Sequence, residues 1–384
     1  MIDYQEIENQ YALPLFPKRG ITLVKGKGAR LWDDQGNEYI DCMGGQGVVN
    51  IGHSNEKVAQ AVAEQAQKLI TCTGSFYSDQ RALLIQKLIE ITPANLHKVF
   101  LCNSGAESVE AAIKFARLSS GKTDFICAMR SFHGRTMGSL SATYNPKYRK
   151  PFQPLISGFE FVPYNNFQKL KEKITDKTAA IMLEVVQGEG GVYPGNIDYF
   201  KEVSQICKEK NILLIIDEVQ TGFCRTGKMF ASEYFDLKPD ILCLAKAMAG
   251  GLPIGAVLCS DKIEVSFGSH GTTFGGNPIV AAAANAAIEF MIEENLADQA
   301  LEKGNYFADK FKTHNLEKVR EVRQLGLMIG IELKEKVQPY ITALQEKGVL
   351  AIPAGATVLR LLPPLTISKD DLDIVIEKIS EVLS

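Results

Sequence analysis

A lysine that follows a short apolar run is the residue on which chemistry could centre. The run Ile241–Leu244 is typical of a buried strand, and Lys246 comes two residues later, followed by small residues and glycines. Ligands of α/β proteins bind at the ends of parallel strands. Loss of solvation there would lower the pKa of the Lys246 amine, which could then attack a carbonyl carbon. The alternative is a lysine that points into solvent, as most charged side chains do.

A second segment has the features of an anion site. The predicted strand Val99–Cys102 leads into Asn103–Glu107 (NSGAE), and a predicted helix follows. Free backbone N–H groups at the start of a helix, together with the Ser104 hydroxyl and the unsubstituted Gly105, can hold a phosphate. The alternative is an ordinary helix cap made by a serine side chain.

A carboxylate follows a third apolar run, Ile212–Ile216. A carboxylate at the end of a buried strand is costly unless a cation or a hydrogen-bond donor meets it, and Asp217 stands at that point. It could pair with a protonated ring nitrogen and keep that nitrogen charged. Otherwise Asp217 would cap the turn that begins there.

The predicted strand Phe125–Ala128 leads to an aromatic residue and an arginine in the segment FHGRT. Phe132 can lie against a flat ring, and Arg135 can bind a carboxylate through two hydrogen bonds. His133 stands between them. A histidine in such a place is more often a packing residue than a catalytic one, and we assign it no role.

Three further segments contain groups that could bind a substrate. Glu184–Gly191 (EVVQGEGG) ends another predicted strand with two carboxylates among glycines, and Gly271–Pro278 (GTTFGGNP) offers two adjacent hydroxyls. Arg360 lies in the apolar run Leu359–Pro364, where an unpaired charge would be costly. Glu189 is a candidate partner for that arginine.

These groups are the parts that one cofactor requires. Pyridoxal 5'-phosphate (PLP) needs a lysine amine for a Schiff base, donors for its phosphate and an acidic partner for its pyridine nitrogen. Each group alone has an ordinary structural explanation, but together they favour a PLP site.

Composition excludes several other classes of protein. The chain has 384 residues, of which 46% are hydrophobic and 23% charged, and its net charge is −3. Neither a nucleic-acid nor a membrane surface is indicated by that balance. The first residues are acidic and polar, unlike a signal peptide. The eight cysteines form no CxxC pair and the five histidines do not cluster, so we expect no metal site and a reduced, cytoplasmic protein.

The order of the predicted elements fixes the fold class. The sequence predicts an irregular arm over residues 1–20, followed by three short strands up to residue 40. Strands then alternate with helices as far as residue 259, which predicts an α/β fold with a mostly parallel sheet covered on both faces. Beyond residue 276 long helices lead into short strands and a closing helix. We therefore predict three parts: an arm with short strands (1–50), a large cofactor-binding domain (51–280) and a small α+β domain (281–384).

At these residues the sequence resembles the class III aminotransferases of fold-type I, in particular the acetylornithine and ornithine aminotransferases. The resemblance covers nearly the whole chain and implies a large domain with a seven-stranded, mostly parallel sheet, PLP as cofactor and a homodimer. One departure is visible, since the family usually has proline where this chain has Val185.

The resemblance also implies a role for each site residue. Lys246 would form the Schiff base and shuttle the proton. Arg135 would bind the α-carboxylate of the substrate near Thr272, and Glu189 would pair with Arg360 until 2-oxoglutarate needs that arginine. The remaining cofactor contacts would come from Asp217 to the pyridine nitrogen, Gln220 to the ring hydroxyl side, Phe132 to the ring face, and Ser104, Gly105, Ala106 and the partner subunit's Thr273 to the phosphate.

Within the family, several stretches are most similar to the aminotransferases that act on substrates attached to the small acidic carrier protein LysW. These stretches are 40–42 (IDC), 135–141 (RTMGSLS), 332–336 (ELKEK) and 359–365 (LRLLPPL). An acidic carrier requires basic residues at the mouth of the site, and Lys147, Arg149 and Lys150 are candidates. A solvated loop is the alternative.

The resulting hypothesis is an aminotransferase that moves the terminal amino group between LysW-linked lysine or LysW-linked ornithine and 2-oxoglutarate, giving glutamate. The rival enzyme would act on N-acetylornithine with the same residues. A racemase or mutase of this fold is disfavoured by the Glu189 and Arg360 pair. A PLP-binding regulatory protein without activity is the alternative from another class, and it would be expected to lack Lys246, Asp217 or Arg135.

Overall fold

The computed structural model describes residues 2–384 and contains four sheets with helices between them. The strands are β1 (Leu23–Lys27), β2 (Arg30–Asp33), β3 (Glu38–Asp41), β4 (Lys98–Cys102), β5 (Asp124–Ala128), β6 (Phe159–Val162), β7 (Thr178–Glu184), β8 (Val186–Gln187), β9 (Tyr193–Pro194), β10 (Leu213–Asp217), β11 (Ile241–Leu244), β12 (Gly255–Cys259), β13 (Val319–Leu325), β14 (Met328–Leu333), β15 (Val349–Leu350), β16 (Ile352–Ala354) and β17 (Val358–Leu361).

The helices are α1 (Tyr4–Tyr11), α2 (Gly44–Gly47), α3 (Glu56–Ala66), α4 (Asp79–Ile91), α5 (Gly105–Ser120), α6 (Met137–Ala142), α7 (Pro146–Arg149), α8 (Phe167–Glu172), α9 (Ile197–Lys210), α10 (Pro278–Glu293), α11 (Leu296–Lys312), α12 (Gln338–Glu346) and α13 (Lys369–Leu383). Short 3₁₀ turns cover Lys150–Phe152, Ala231–Phe235 and Lys246–Ala249. Of the helices, the one-turn α2 is irregular, because Gly45 and Gln46 have left-handed backbone angles.

The central sheet has seven strands in the order β4-β12-β11-β10-β7-β5-β6. Its pairs are parallel except at β12, which runs antiparallel to both of its neighbours. The other six strands therefore run the same way, and their carboxyl ends meet at one edge. This confirms the predicted mostly parallel sheet.

The middle strands of the sheet are buried on both faces because they are apolar along most of their length. Along β10, Leu213 and Ile215 belong to one apolar cluster, and Leu214 and Ile216 belong to another. Successive side chains of a strand point to opposite faces, so the two clusters are the two layers of the core. Along β10 and β11 the only charged side chain is therefore at a strand end, at Asp217.

Two of the three smaller sheets have four strands each, and the third pairs β8 with β9. The sheet β1-β2-β3-β15 takes its last strand from the C-terminal part of the chain, with β15 parallel to β3. The sheet β13-β14-β17-β16 is antiparallel throughout. The domain boundaries near residues 50 and 280 stay a prediction. Among residues 2–384, the helices include none with both the length and the apolar character needed to cross a membrane.

The structure differs from the expected elements at a few places. The arm 1–20 contains α1, whose first turn is capped by Asp3 through a hydrogen bond from the Glu6 N–H at 2.9 Å. The edge strand β6 and the strand β13 were not expected. Both have charged residues among their apolar ones, since an edge strand of the central sheet and an outer strand of the C-terminal sheet are only partly buried.

Gly304 should not tolerate a side chain. It lies in α11, where an added Cβ would stand 2.0 Å from the carbonyl oxygen of Gly326. Alanine normally favours a helix. Here, however, α11 would have to move away from the turn at Gly326, and overpacking of this kind costs about 1–3 kcal/mol of stability. We expect Gly304→Ala to lower the midpoint of urea unfolding, and Asp309→Ala, at an exposed position of the same helix, to leave it nearly unchanged. Equal midpoints for the two variants would contradict this packing.

Candidate active site

The carboxyl ends of the parallel strands bring the predicted site residues to one edge of the central sheet. Strand β4 leads to Ser104, β5 to Phe132, β7 to Glu184 and the loop after it, β10 to Asp217, and β11 to Lys246. In residues 2–384 no group of three or more His, Cys, Asp or Glu side chains is arranged to hold a metal ion.

Lys246 occupies a strained position at this edge. It begins the 3₁₀ turn after β11 with a φ of 49°, in the left-handed region that side chains other than glycine rarely adopt. Strain of this kind is typical of functional sites. Burial lowers the pKa of the Lys246 amine, while the negative charge of Glu189 opposes that shift and the positive charge of Arg360 adds to it. The residue as a whole is partly exposed.

Asp217 is buried and held by a histidine. Its Oδ2 lies 2.7 Å from the Nδ1 of His133, and its Oδ1 accepts a hydrogen bond from the Val219 N–H at 3.0 Å. Burial disfavours protonation of His133, but the hydrogen bond and charge of Asp217 outweigh it, so the pKa of His133 is raised. The Nε2 of His133 is buried without a partner in residues 2–384. His133, to which we assigned no role from the sequence, therefore positions Asp217, the predicted partner of a ring nitrogen.

Glu184 adds a second buried carboxyl beside this pair. It ends β7, and its Oε2 accepts a hydrogen bond from the Phe132 N–H at 3.1 Å. Burial raises the pKa of the Glu184 carboxyl to about 7, and the nearby charge of His133 partly offsets that effect. This residue thus links the strand end to the loop that carries the predicted stacking ring.

The predicted phosphate segment forms the N-terminus of α5. Ser104 is the cap, and its Oγ accepts a hydrogen bond from the Glu107 N–H at 3.2 Å. The two interpretations of this segment, a phosphate site and an ordinary helix cap, are thus compatible. A capped helix start still presents backbone N–H groups and a positive dipole. An added Cβ on Gly105 would stand 2.7 Å from the Val219 side chain, so only glycine fits beside the Asp217 loop.

The predicted carboxylate-binding arginine is exposed and stacked on a tyrosine. The guanidinium carbon of Arg135 lies 3.5 Å from the ring centroid of Tyr148 and 5.9 Å from that of Phe132. The two rings meet edge to face, with centroids 6.1 Å apart. Cation–π contact of this kind orients a guanidinium without occupying its N–H groups. Tyr148 was not singled out from the sequence as a site residue.

The structure brings Glu189 and Arg360 together as expected. Arg360 is only 2% exposed, and its Nη2 donates to the Glu189 Oε1 at 2.5 Å. Its Nη1 donates to the Gln220 side chain at 3.3 Å, and its Nε is buried without a partner in the part of the chain described. The buried arginine is therefore neutralised by one carboxylate that is itself more accessible, with 27% of its side chain exposed.

The two predicted threonines, Thr272 and Thr273, differ in their exposure to solvent. Thr272 is partly buried and accepts hydrogen bonds from the Asn103 side chain and the Gly275 N–H, each at 3.2 Å. Thr273 is exposed, next to the exposed ring of Phe274. Its expected contribution to the phosphate of a partner subunit stays a prediction.

These groups fit the chemistry of PLP. An amine on a strained turn, a helix N-terminus with a hydroxyl, a buried carboxylate and an aromatic ring all face one edge, where the charges of Glu189, Asp217 and Glu184 act on the Lys246 amine. Together with the seven-stranded sheet, they define a PLP-dependent aminotransferase of fold-type I. Residues 16–383 match the aminotransferase class-III family, and the chain belongs to that family.

Relatives of known activity support the assignment. The [LysW]-aminoadipate semialdehyde transaminase of Deinococcus radiodurans is 47% identical over 98% of this chain and 89% of its own. The acetylornithine aminotransferase of Methanothermobacter thermautotrophicus is 44% identical over 99% and 98%. Among solved structures, the ornithine aminotransferase of Toxoplasma gondii, which has PLP at partial occupancy in its active site, superimposes with a TM-score of 0.94 at 31% identity, covering 99% of this chain and 93% of that one.

Replacing Glu184 should change how stability depends on pH. A carboxyl whose pKa is about 7 in the fold and 4.5 in the unfolded chain keeps its proton longer when folded. Its contribution to stability is complete below pH 4.5 and is lost as the pH rises to about 7. Relative to Glu184→Gln, which cannot ionise, the wild-type protein should lose roughly 3 kcal/mol at most across that window.

The measurement is urea unfolding of both proteins in steps between pH 4.5 and pH 7.5, a range set by the two pKa values. Replacement of the exposed Glu317 by Gln is the control for the loss of one surface carboxylate. A constant difference between Glu184→Gln and the wild type at every pH would show that Glu184 ionises normally in the fold.

Proposed function

We propose that this aminotransferase moves the terminal amino group between LysW-linked lysine, or LysW-linked ornithine, and 2-oxoglutarate, which becomes glutamate. The observation that carries the proposed exchange between a terminal-amine donor and 2-oxoglutarate is the contrast between two arginines, and the similarity to the Deinococcus radiodurans transaminase supports the LysW-linked donor. Arg135 is exposed and not engaged by a carboxylate in residues 2–384, whereas Arg360 is buried and neutralised by Glu189. One arginine is ready for a carboxylate at all times, and the other only when Glu189 leaves it.

This contrast suits a reaction with two unlike substrates. A donor with a distant terminal amine has one free carboxylate, which Arg135 would bind near Thr272. Glutamate and 2-oxoglutarate have a second carboxylate, for which Arg360 becomes available when Glu189 swings away. Breaking a buried ion pair is costly unless another carboxylate replaces the first, so the exchange favours the dicarboxylate alone.

The chain supplies holding and proton-transfer groups around the cofactor. When bound, PLP supplies an electron-withdrawing ring that stabilises negative charge on the carbon bearing the amine. Lys246 would hold it covalently and move a proton at Nζ, which the lowered pKa of that amine assists. Asp217 would keep the ring nitrogen protonated, and His133 would hold Asp217 in place. Phe132 would cover the ring face and Gln220 the ring hydroxyl side, with Ser104, Gly105 and Ala106 at the phosphate.

Two relatives with different substrates define the rival. The Deinococcus radiodurans transaminase supports a LysW-linked substrate, and the Methanothermobacter thermautotrophicus enzyme supports N-acetylornithine. Both substrates have a terminal amine and a free carboxylate, so the arginine pair serves either. A regulatory protein without activity is disfavoured, because Lys246, Asp217 and Arg135 are all present.

A homodimer is part of the proposal. Large apolar side chains are exposed in segments 69–77 and 265–274, including Phe76, Tyr77 and Phe267. Exposed apolar patches of this kind mark protein interfaces. Thr273 lies in the second segment, so a partner docked there would bring each Thr273 towards the phosphate site of the other subunit.

A reducing compartment, the cytoplasm, is also proposed. All eight cysteines are free thiols, and seven of them are buried. Burial raises the pKa of such thiols, as at Cys102 and Cys224, where it reaches about 12, and keeps them unreactive. Unpaired cysteines are typical of proteins that fold among reducing agents.

Turnover with two donors tests the substrate. The holoenzyme is given LysW-linked lysine or N-acetylornithine with 2-oxoglutarate, and glutamate formation is measured. We expect kcat/KM for the LysW-linked donor to be at least tenfold higher, since an extended carrier adds contacts that a small substrate lacks. A higher value for N-acetylornithine would overturn the carrier proposal.

Removal of the amine is the matched test of the mechanism. Lys246→Ala should abolish turnover of both donors, whereas Lys238→Ala, an exposed lysine shortly before the same strand, should leave it unchanged. Turnover by Lys246→Ala would contradict the role of that residue.

The basic segment beside Arg135 is the proposed docking point of the acidic carrier. Lys147 and Lys150 are exposed, and Tyr148 between them contacts Arg135. Arg149 was also a candidate, but its guanidinium lies 4.6 Å from the ring centroid of Phe161, and its Nε is buried. The two lysines are therefore the groups that an acidic surface would meet.

Charge reversal tests this docking point. Lys147→Glu/Lys150→Glu should raise KM for the LysW-linked donor about tenfold and make it less dependent on salt, with KM for N-acetylornithine unchanged. The control, Lys122→Glu/Lys177→Glu, places the same charges before β5 and β7, at the opposite edge of the sheet. If both double variants gave the same KM, carrier docking at residues 147–150 would be wrong.

A further inference from the structure

The loop that carries Glu189 lies across the C-terminal sheet, between two arginines of one cross-strand row. In the register of that sheet, Arg323 of β13 stands opposite Gly330 of β14, and Gly330 stands opposite Arg360 of β17. Directly opposed residues of neighbouring strands point to the same face. The row therefore presents two guanidinium groups, separated by a glycine, to loop 188–193.

Arg323 binds the backbone of this loop. Its side chain is 7% exposed, and its Nε and Nη2 donate to the carbonyl oxygen of Gly191 at 3.2 and 2.9 Å. Its Nη1 donates to the Glu332 Oε2 at 2.6 Å, and the Tyr193 hydroxyl donates to the same oxygen at 3.0 Å. The ring centroid of Tyr193 lies 4.0 Å from the guanidinium carbon. Arg323 is thus fixed from several sides and holds a main-chain oxygen two residues past Glu189.

Glycines allow this close approach. An added Cβ on Gly330 would stand 2.9 Å from the Cβ of Val192, so a side chain there would push the loop off the sheet. Gly188 and Gly190 flank Glu189 and are closely packed, since an added Cβ would stand 2.0 Å from the Gln220 Oε1 at Gly188 and 3.0 Å from the Arg130 carbonyl oxygen at Gly190. The Glu189 side chain, of which 27% is exposed, therefore stands on a closely packed backbone just before the point that Arg323 holds.

We propose that Arg323 is a positioning residue that holds Gly191 as the fixed end against which Glu189 swings on and off Arg360. The inference rests on the proposed function, in which Arg360 binds either Glu189 or a substrate carboxylate. Without this anchor the loop shifts and the Glu189–Arg360 pair weakens. Arg360 is then open to dicarboxylates in the state that should accept a terminal amine.

The role differs from that of an ordinary structural ion pair. Arg320 also donates to Glu332, at 3.0 Å, but 58% of its side chain is exposed. Arg320 donates to the other oxygen of that carboxylate, and Gly191 is bound by Arg323. Arg320 is therefore a matched control from the same strand and the same ion cluster.

The test compares the two half-reactions of the holoenzyme. Wild-type, Glu189→Gln, Arg323→Gln, Arg323→Lys and Arg320→Gln proteins are mixed separately with the terminal-amine donor and with glutamate, and kcat/KM is measured for each. We expect Arg323→Gln to lower the ratio of terminal-amine to glutamate reactivity about tenfold, in the same direction as Glu189→Gln, because about 1.4 kcal/mol of preference is lost. Arg323→Lys should have a smaller effect in that direction, since lysine keeps the charge but not the forked geometry.

A binding measurement gives a readout other than activity. Glutarate, a dicarboxylate without an amine, should bind Arg323→Gln several-fold more tightly than the wild type in calorimetry, since Arg360 is less well covered. The double variant Arg323→Gln/Glu189→Gln should match Glu189→Gln within about twofold, as residues that act through one contact are not additive. Arg320→Gln should keep the wild-type ratio and affinity.

The outcomes separate this inference from the function on which it rests. An unchanged ratio in Glu189→Gln would overturn the proposed exchange at Arg360 itself. A changed ratio in Glu189→Gln, with wild-type ratios in both Arg323 variants, would overturn the anchor alone. Fully additive effects in the double variant would also overturn it, because Arg323 would then act by another route. If Arg323→Gln does not fold, Arg323→Lys decides by the same criteria.

Discussion

The burial of the central sheet on both faces is the constraint on which the rest of the molecule depends. Strands β7, β10 and β11 are buried at every position, so they have no room for a polar side chain along their length. Groups that do chemistry can stand only where these strands end. Because all the strands but β12 run the same way, those ends lie at one edge, and five loops that are distant in sequence converge on one site.

Charge compensation at that edge explains why its members are interdependent. Asp217 is buried and would be costly as an isolated charge, but His133 donates to it at 2.7 Å. Glu184 has no such cation in direct contact among residues 2–384, and burial accordingly raises its pKa to about 7. Arg360 is neutralised by Glu189 and also donates a hydrogen bond to the Gln220 side chain. Each of these charges is tolerated through its neighbour, so removing one member of a pair leaves the other as a buried charge without a partner.

Much of this site could be predicted from the sequence, because strand ends are visible there. Lys246 and Asp217 directly follow apolar runs, and chemistry alone suggested a lysine–carboxylate pair around a ring. His133 was passed over for a physical reason: its partner lies 84 residues away, and nothing local signals the contact. Tyr148 was hidden in the same way, since a short basic segment does not show that its ring contacts Arg135.

The strands likewise divide into those that the sequence predicts and those that it does not. The buried strands were predicted within one or two residues, because uniform apolarity leaves no other interpretation. Strand β13 was not predicted, because its charged residues interrupt the apolar pattern of a strand. One of these residues, Arg323, is buried through contacts that only the tertiary structure creates. Arg225 has a similar character, since it is fully buried and donates to the oxygens of Leu327, Pro363 and Asn50. Arg225 and Arg323 both donate to main-chain oxygens, and these contacts fix the C-terminal sheet, with the strand that carries Arg360, against the edge of the central sheet.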